Sequence, residues 1–242
     1  MKLLIWGISG TMGRNMEALA EQEEYWTAIQ GVDSKTDLDK LDEDMDVIID
    51  FSHPSSLEKL LGFALKTKTP VVVATTGFSE KQQQEIDLAS KKIPVLQASN
   101  TSIGMNLLFS LAKQSAKALG SSVDIEIVET HHRRKKDAPS GSAKTLVHSL
   151  EEGLGEKRKI TYGREGECPR ETGEIGVHAL RGGDIKGVHH VHFIDDMEQI
   201  TLSHEAMDRK VFAGGALKAG KFLINKGPGR YGMEDVLNQR EE

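Results

Sequence analysis

A single cysteine, Cys168, is all that the 242 residues contain. An intrachain disulfide framework is thereby excluded, and such usage fits a reducing compartment. Long apolar runs are missing as well. Leu3–Ile8 is apolar, but Ser9 and Gly10 end it well short of a membrane span, and no signal peptide is recognisable. The expectation is a cytoplasmic protein with no membrane partner. Neither an internal repeat nor a low-complexity tract interrupts the chain. Excess positive charge is also lacking: 31 Lys and Arg against 37 Asp and Glu leave a formal net charge of -6. Nucleic acid demands a large basic footprint, so it is not an expected partner. What remains, 38% hydrophobic and 28% charged with 24 glycines, is ordinary for a globular protein long enough to form one large domain or two modest ones.

One stretch departs from that acidic balance. From Glu129 to Thr145 the chain reads E-T-H-H-R-R-K-K-D-A-P-S-G-S-A-K-T. Six consecutive bases (His131, His132, Arg133, Arg134, Lys135, Lys136) run into Asp137 and a Pro139-Ser140-Gly141 turn, after which Ser142-Ala143-Lys144-Thr145 can start a helix. Alone, such a run reads first as a solvated face. A turn with spare backbone N–H groups beside cations also suits an anion.

The preceding chain alternates strands and helices. Lys2–Ile8 reads as a buried strand opening into Gly7-Ile8-Ser9-Gly10-Thr11-Met12-Gly13, and Arg14–Glu23 has helical spacing. Strand, glycine turn and helix form the context of a dinucleotide fingerprint. The glycines permit a tight turn and close approach to a pyrophosphate, and the helix N-terminus supplies N–H donors and partial positive charge. The spacing here is G-x-x-G-x-x-G, with Ser9 where a middle glycine often sits. Thr27–Val32 reads as a second strand ending at Asp33, roughly twenty residues past the glycines. A carboxylate there can accept hydrogen bonds from both adenosine ribose hydroxyls, favouring NAD. Lys35 can meet the extra phosphate of NADP, so both NADH and NADPH are expected to serve.

Val47–Phe51 reads as a third strand and Ser55–Lys66 as an amphipathic helix with Leu57, Leu60, Leu61 and Ala64 on one side. Val71–Ala74 is a fourth strand leading into Thr75-Thr76-Gly77. Ser79-Glu80-Lys81-Gln82 has the form of a capping box for a helix to Lys92, and Pro94–Leu96 is a fifth strand. This rhythm predicts an α/β fold with a parallel sheet covered on both faces. Ligands then lie beyond the carboxyl ends of the strands, where the turns Gly7–Gly13, Asp33–Lys35, Ala74–Gly77 and Ala98–Ser102 all fall.

Past Gly104 the pattern changes. Met105–Leu119 predicts a helix whose stripe of Leu107, Leu108, Leu111, Ala112, Ala118 and Leu119 is most simply core. Val123–Ile127 alternates strictly, predicting a half-buried strand that delivers the chain to His131, and a helix from Ser142 to about Glu152 follows. Ile175–Leu180, Val188–Ile194 and Gln199–Ser203 predict a mostly antiparallel sheet, and Lys210–Ile224 and Met233–Leu237 two closing helices.

Several patterns invite a reading they do not support. His190 and His192 would share a strand face near His189, but no cysteine or carboxylate at ligand spacing accompanies them, so no metal is expected. Gly141-Ser142-Ala143-Lys144-Thr145 lacks the adjacent Gly-Lys of a P-loop, and Pro139-Ser140-Gly141 is not a hydrolase elbow. Cys168 shows no sign of a nucleophilic role.

The segment E-x-H-H-R-x-K-x-D-A-P-S-G-[ST]-A at Glu129–Ala143 resembles the signature of the 4-hydroxy-tetrahydrodipicolinate reductase (dihydrodipicolinate reductase) family. The likeness extends over nearly the whole chain, through Thr75-Thr76-Gly77, Ser99–Asn106, Arg164-Glu165-Gly166, Arg181–Ile185, and His204-Glu205-Ala206 leading to Phe212–Ala216. It implies a Rossmann-type parallel sheet with an inserted α+β substrate and oligomerisation domain: residues 1–103 plus 212–242 for the dinucleotide, 104–211 for substrate and tetramerisation. The implied reaction is NAD(P)H-dependent reduction of a cyclic dicarboxylate to tetrahydrodipicolinate in diaminopimelate and lysine biosynthesis, by a homotetramer. On matching positions His131 would be the general acid/base and Lys135 the proton donor. His132 would bind substrate, with Ser140, Gly141 and Ser142 holding a carboxylate. Gly7, Ile8, Ser9, Gly10, Thr11, Met12, Asp33, Lys35, Ala74, Thr75, Thr76, Ala98, Ser99, Asn100 and Thr101 would hold the cofactor. Thr11 stands where the family usually has arginine, Ala74 where a glycine often opens the turn, and Ser142 where threonine is commoner. The first two bear on cofactor affinity; none removes a catalytic group.

Hydride delivery creates enamine-like character that a positioned acid must quench, and histidine carries an available proton near neutral pH. Two other readings stay open on the residues alone. One is another Rossmann oxidoreductase acting on an amino-acid-like dicarboxylate, such as a semialdehyde, amino-acid or diaminopimelate dehydrogenase. The other is a non-catalytic nucleotide-sensing module, against which the intact His131 and Lys135 speak.

Overall fold

The computed structural model describes residues 1–239. In chain order the elements are β1 (Lys2–Trp6), α1 (Thr11–Ala20), β2 (Ala28–Val32), β3 (Val47–Asp50), α2 (Leu57–Thr67), β4 (Val71–Val73), α3 (Glu80–Ser90) and β5 (Pro94–Gln97). There follow α4 (Ile103–Leu119), β6 (Asp124–His131), α5 (Gly141–Leu154), β7 (Ile160–Tyr162), β8 (Ile175–Arg181), β9 (Val188–Ile194) and β10 (Gln199–Glu205). The chain closes with α6 (Lys210–Ile224), β11 (Gly229–Tyr231) and α7 (Met233–Asn238). Two compact units result: Met1–Ile103 with Arg209–Glu242, and Gly104–Asp208. The return crossing falls at Arg209 rather than at 212.

In the first unit a six-stranded sheet runs β11-β5-β4-β3-β1-β2, with every pairing parallel. Successive side chains on a strand face opposite ways, so a strand apolar throughout needs cover on both sides. β1 is such a strand. Leu3 and Ile5 join Met16, Ala216 and Leu223 of α1 and α6 in one core, while Leu4 and Trp6 join Leu57, Leu61 and Ile86 of α2 and α3 in the other. Helix α1 begins at Thr11, not at Arg14, because the glycine turn itself supplies the first helical turn. The box at Ser79 and Gln82 is formed, capping α3. Strand β1 lies between β2 and β3, so the order reverses there, and a crevice opens beyond the carboxyl ends of β1 and β3.

The second unit holds a five-stranded sheet in the order β10-β9-β6-β8-β7. It is mixed rather than mostly antiparallel: β10/β9 and β9/β6 are antiparallel, β6/β8 and β8/β7 parallel. The cause is α5, since parallel neighbours require a long crossover and a helix between β6 and β8 supplies one. On one sheet face Ile125, Ile127, Val177, Val191 and Phe193 pack against Met105, Leu108 and Ala112 of α4 and Leu146 and Leu150 of α5. Leu107 and Leu111, expected in this core, are 48% and 39% exposed, because the buried stripe of α4 follows Met105, Leu108, Ala112 and Ala116 instead. Strands β7 and β11 were not foreseen; three residues each are too few to show an alternation.

Candidate active site

Within the first unit, two clefts meet at the crevice. One, of about 430 Å3, is lined among others by Gly7, Gly10, Asp33, Ser52, His53 and Lys59. The other, of about 470 Å3, is lined by Met12, Ser52, His53 and the turn Ala74-Thr75-Thr76. The glycine turn is shaped for close approach. Gly7 has φ +95°, and a Cβ there would lie 2.7 Å from the Phe51 carbonyl oxygen; on Gly13 it would lie 2.6 Å from Ile8 Cα and run into the Gly7 carbonyl oxygen. Gly10 caps α1 with no side-chain hydrogen bond, so the helix presents its first N–H groups to whatever occupies the turn. That combination suits a pyrophosphate. Asp33 holds its own turn, accepting from Lys35 N at 2.9 Å and from Thr36 Oγ1 at 3.3 Å, both through Oδ1. Its second oxygen has no hydrogen-bond partner among the described residues, which leaves it able to accept from a ribose hydroxyl.

The sequence-predicted residues do not all reach these clefts. Ile8 donates its N–H to Val32 O and tucks its side chain beneath Gly31 in the core, so only its backbone can take part. Ser9 and Gly10 are exposed at the turn, and Thr11 opens α1. Lys35 is exposed and lines neither cleft, whereas Lys59, from α2, lines the one containing Asp33. Ala98, Ser99, Asn100 and Thr101 leave β5 together but line neither cleft; Thr101 Oγ1 instead donates to Phe212 O at 2.6 Å, and Asn100 Oδ1 accepts from Ser102 N. The segment Phe51-Ser52-His53, which sequence did not single out, borders both clefts. Buried Asp50 fixes it: Ser52 N donates to Asp50 Oδ1 at 3.0 Å and to Thr75 Oγ1 at 2.9 Å, tying the turns after β3 and β4. Burial pushes the Asp50 carboxyl above its ordinary range, against the pull of Ser52 and Thr75.

In the second unit β6 turns from apolar to polar along one face. Ile125, Ile127, Glu129 and His131 alternate inward, and the last pair forms the polar end of the core. Glu129 is fully buried and His131 is 9% exposed. His131 Nδ1 lies 2.5 Å from Glu129 Oε2. Arg181, aligned with His131 on β8, grips both oxygens of Glu129 at 2.9 and 2.8 Å, and Ser140 N donates to Oε1 at 3.0 Å. Burial alone would raise the Glu129 carboxyl, but the His131, Arg181 and Ser140 hydrogen bonds outweigh it and hold the group at about 2. An ionised Glu129 accepts from Nδ1–H, and the exchangeable position of His131 becomes Nε2. There a Cβ on Gly187 would lie only 3.1 Å away, so glycine keeps that nitrogen accessible.

The loop that follows is divided among several tasks. Lys135 Nζ pairs with Asp137 Oδ1 at 2.8 Å and is largely shielded. Arg134 pairs with Asp184 at 2.5 Å, Lys186 joins the same carboxylate, and Arg133 N donates to Gly183 O at 3.3 Å. Arg133, Arg134 and Lys136 are exposed, and His132 is half-buried beside the last residue of β6. Ser140 caps α5, its Oγ accepting from Ala143 N at 3.1 Å, with Gly141 and Ser142 as the first helical residues. The N–H of Gly141 has no acceptor within the helix, and the dipole adds partial positive charge: an anion fits here. The residues sequence did not flag are Arg181 and the inner partner His189, which faces Glu129 from β9. Only Glu129, as first residue of the basic segment, was in view. His190 and His192 stand on the other sheet face, stacked at 6.0 Å and bound to Ser203 and Thr201.

The model for the N-terminus of dihydrodipicolinate reductase matches residues 1–101, and the model for its C-terminus matches 104–237. A 4-hydroxy-tetrahydrodipicolinate reductase of Alkaliphilus metalliredigens (strain QYMF) is 55% identical over 237 residues, covering 98% of this chain and 99% of that one. Among solved structures, dipicolinate-bound dihydrodipicolinate reductase from Paenisporosarcina sp. TG-14 aligns with a TM-score of 0.79 at 22% identity, over 98% of this chain and 99% of that one. Aspartate semialdehyde dehydrogenase II of Vibrio cholerae aligns with a TM-score of 0.59 at 11% identity, over 93% and 98%, and shares the fold alone.

Proposed function

Because this chain belongs to the 4-hydroxy-tetrahydrodipicolinate reductase family, we propose that NADH or NADPH drives its reaction and that the Glu129–His131 pair protonates the substrate. Its activity is the reduction of 4-hydroxy-tetrahydrodipicolinate to tetrahydrodipicolinate, the 4-hydroxyl leaving as water, in lysine and diaminopimelate biosynthesis. The observation that carries the proton-transfer role is the buried carboxylate–imidazole contact of 2.5 Å next to a helix N-terminus suited to a carboxylate.

A reduced nicotinamide, when bound, supplies the hydride. Around it the residues Gly7 to Met12 would take the pyrophosphate, Asp33 the adenosine ribose, and Ala74 to Thr76 with Ser52 the cleft beyond, while Ala98 to Thr101 would support it through the backbone after β5. The orphaned N–H groups of α1 and the cradle that a Cβ on Gly7 or Gly13 would fill both fit that ligand. Ser140, Gly141 and Ser142 would hold one substrate carboxylate and His132 would steady the ring. His131 would deliver a proton from Nε2 to the reduced substrate, and ionised Glu129 would hold the imidazole in the tautomer this requires. Lys135 would serve as a second proton donor, oriented through Asp137. We further infer a dinucleotide role for the first unit, a substrate role for the second, and a homotetramer built on the open face of the β6–β10 sheet. No described helix is long and apolar enough to cross a membrane.

Freshly formed 4-hydroxy-tetrahydrodipicolinate, given to the purified protein with either cofactor, is expected to consume the reduced nicotinamide stoichiometrically. Cofactor binding without any consumption would return the protein to the class of nucleotide sensors. A second expectation concerns the glycine turn. In Gly13→Ala the new methyl must push α1 away from the β1 turn, costing about 1–3 kcal/mol. Cofactor affinity, read by nicotinamide fluorescence, should fall together with the melting temperature. Unchanged affinity would remove the pyrophosphate from that turn.

A further inference from the structure

His189 is 3% exposed and takes no part in the proton transfer described above, yet it closes a ring of contacts around it. Its Nε2 lies 3.3 Å from Ser140 Oγ, and its ring meets that of His131 edge-on at 5.2 Å between centroids. Ser140 N and His131 Nδ1 both end on Glu129, which completes the circuit. The Nδ1 of His189 is buried and has no hydrogen-bond partner among the described residues.

That single unpartnered atom selects the tautomer. With the proton on Nδ1, a buried N–H donor would be left without an acceptor, among the rarest defects in folded proteins. With the proton on Nε2, the donor is satisfied by Ser140 Oγ and only a lone pair goes unused. Burial, and next the charge of His131, hold the His189 imidazole far below its ordinary value, at about 3, so it remains neutral at neutral pH. Ser140 Oγ has two acceptor sites and one proton. One site takes Ala143 N–H and the other takes His189 Nε2–H. What remains is the hydroxyl proton.

We propose that His189 is a positioning residue that turns the Ser140 hydroxyl into a dedicated donor, aimed at the substrate carboxylate seated on the N-terminus of α5. The inference rests on the reading of Ser140–Ser142 as the carboxylate site. It adds a selectivity that the helix N-terminus alone does not have: a ligand presenting a donor at this point meets another donor and is refused, while a carboxylate gains a charge-assisted hydrogen bond.

Nitrogen-15 spectra of the wild-type protein, with His189 assigned through His189→Gln, should show the Nε2–H tautomer; an Nδ1–H tautomer overturns the proposal. In kinetics, His189→Phe is expected to raise the substrate KM and the inhibition constant of pyridine-2,6-dicarboxylate about 10- to 100-fold, the worth of one hydrogen bond to a charged group. The drop in kcat should be smaller, and the KM for cofactor should hold. His189→Gln, whose amide N–H can reach Ser140 Oγ, should recover most of the loss. Equal losses in the Phe and Gln variants would mean packing alone and sink the idea. Should His189→Phe not fold, the wild-type tautomer and the Gln variant still decide it. Ser140→Ala separates the two levels of inference. If it leaves the substrate KM unchanged, the carboxylate site and this proposal fall together; if it raises KM while His189→Phe does not, only the role of His189 falls.

Discussion

Replacing His131 by glutamine is expected to lower kcat by about 100- to 10,000-fold, the usual worth of a positioned general acid. Glutamine fills a similar volume and can still meet Glu129, so the fold of the second unit should survive. Nothing in the first unit changes, so cofactor affinity should stay at the wild-type value. The loss should therefore appear in kcat and kcat/KM together, the mark of an interaction made only in the transition state. Lys135→Ala offers the complementary measurement. Its Nζ is held by Asp137 at 2.8 Å, an arrangement that orients a largely shielded cation. A pH–rate profile of the two variants distinguishes them, because whichever group supplies the proton takes one limb of the profile with it. If both keep near-normal kcat, the acid lies elsewhere and the roles proposed for this loop are wrong.

Glu129→Gln is expected to harm stability as well as catalysis. Four groups converge on the carboxylate in a buried site: His131 Nδ1, both terminal nitrogens of Arg181 and the N–H of Ser140. Neutralising it leaves the Arg181 cation without its counter-charge, which typically costs about 3–5 kcal/mol when a buried pair loses one partner. An amide can also donate to Nδ1, which would force the imidazole into the wrong tautomer and lower kcat by about 100- to 10,000-fold. Thermal melts and steady-state kinetics read the two effects separately.

The pH dependence of stability carries the same signature. Glu129 drops from an ordinary 4.5 to about 2 on folding, so its contribution is fully present above pH 4.5 and disappears as the pH falls toward 2. His189 drops from 6.5 to about 3, so the unfolded chain binds the extra proton first; stability is whole above pH 6.5 and declines between 6.5 and 3. Burial lowers His192 and His204 too, with the same sign. Acid lability should therefore begin below pH 6.5, where the unfolded chain's histidines start to charge. In Glu129→Gln the slope between pH 4.5 and 2 should flatten while the slope above 4.5 persists. A wild-type melting temperature constant from pH 6.5 to 4.5 would contradict the neutral, buried His189.

Much of this protein was legible in its residues. The alternation of Val188–Ile194, the span of Lys210–Ile224 and the capping box at Ser79 depend on neighbours a few positions apart, and they stand in the structure with those bounds. The same holds for the glycine turn and for the basic segment, where spacing along the chain is itself the chemical signal. Leu107 and Leu111 went the other way, because a helix's apolar residues can satisfy two stripes and only the packing partner selects one.

What sequence could not decide are the pairings set by register and strand order. Arg181 and His189 reach Glu129 because β8 and β9 flank β6 in one particular register. Phe51, Ser52 and His53 border both clefts of the first unit because β3 follows β1 in the sheet, with β2 on the far side. Sequence alone determined the parallel α/β architecture of the first unit, the family likeness and the place of His131, since each is written in local spacing. Tertiary structure alone decided what holds His131, because a side chain's partners across a sheet come from segments distant in the chain, and their alignment is chosen by the burial of whole faces rather than by any one residue.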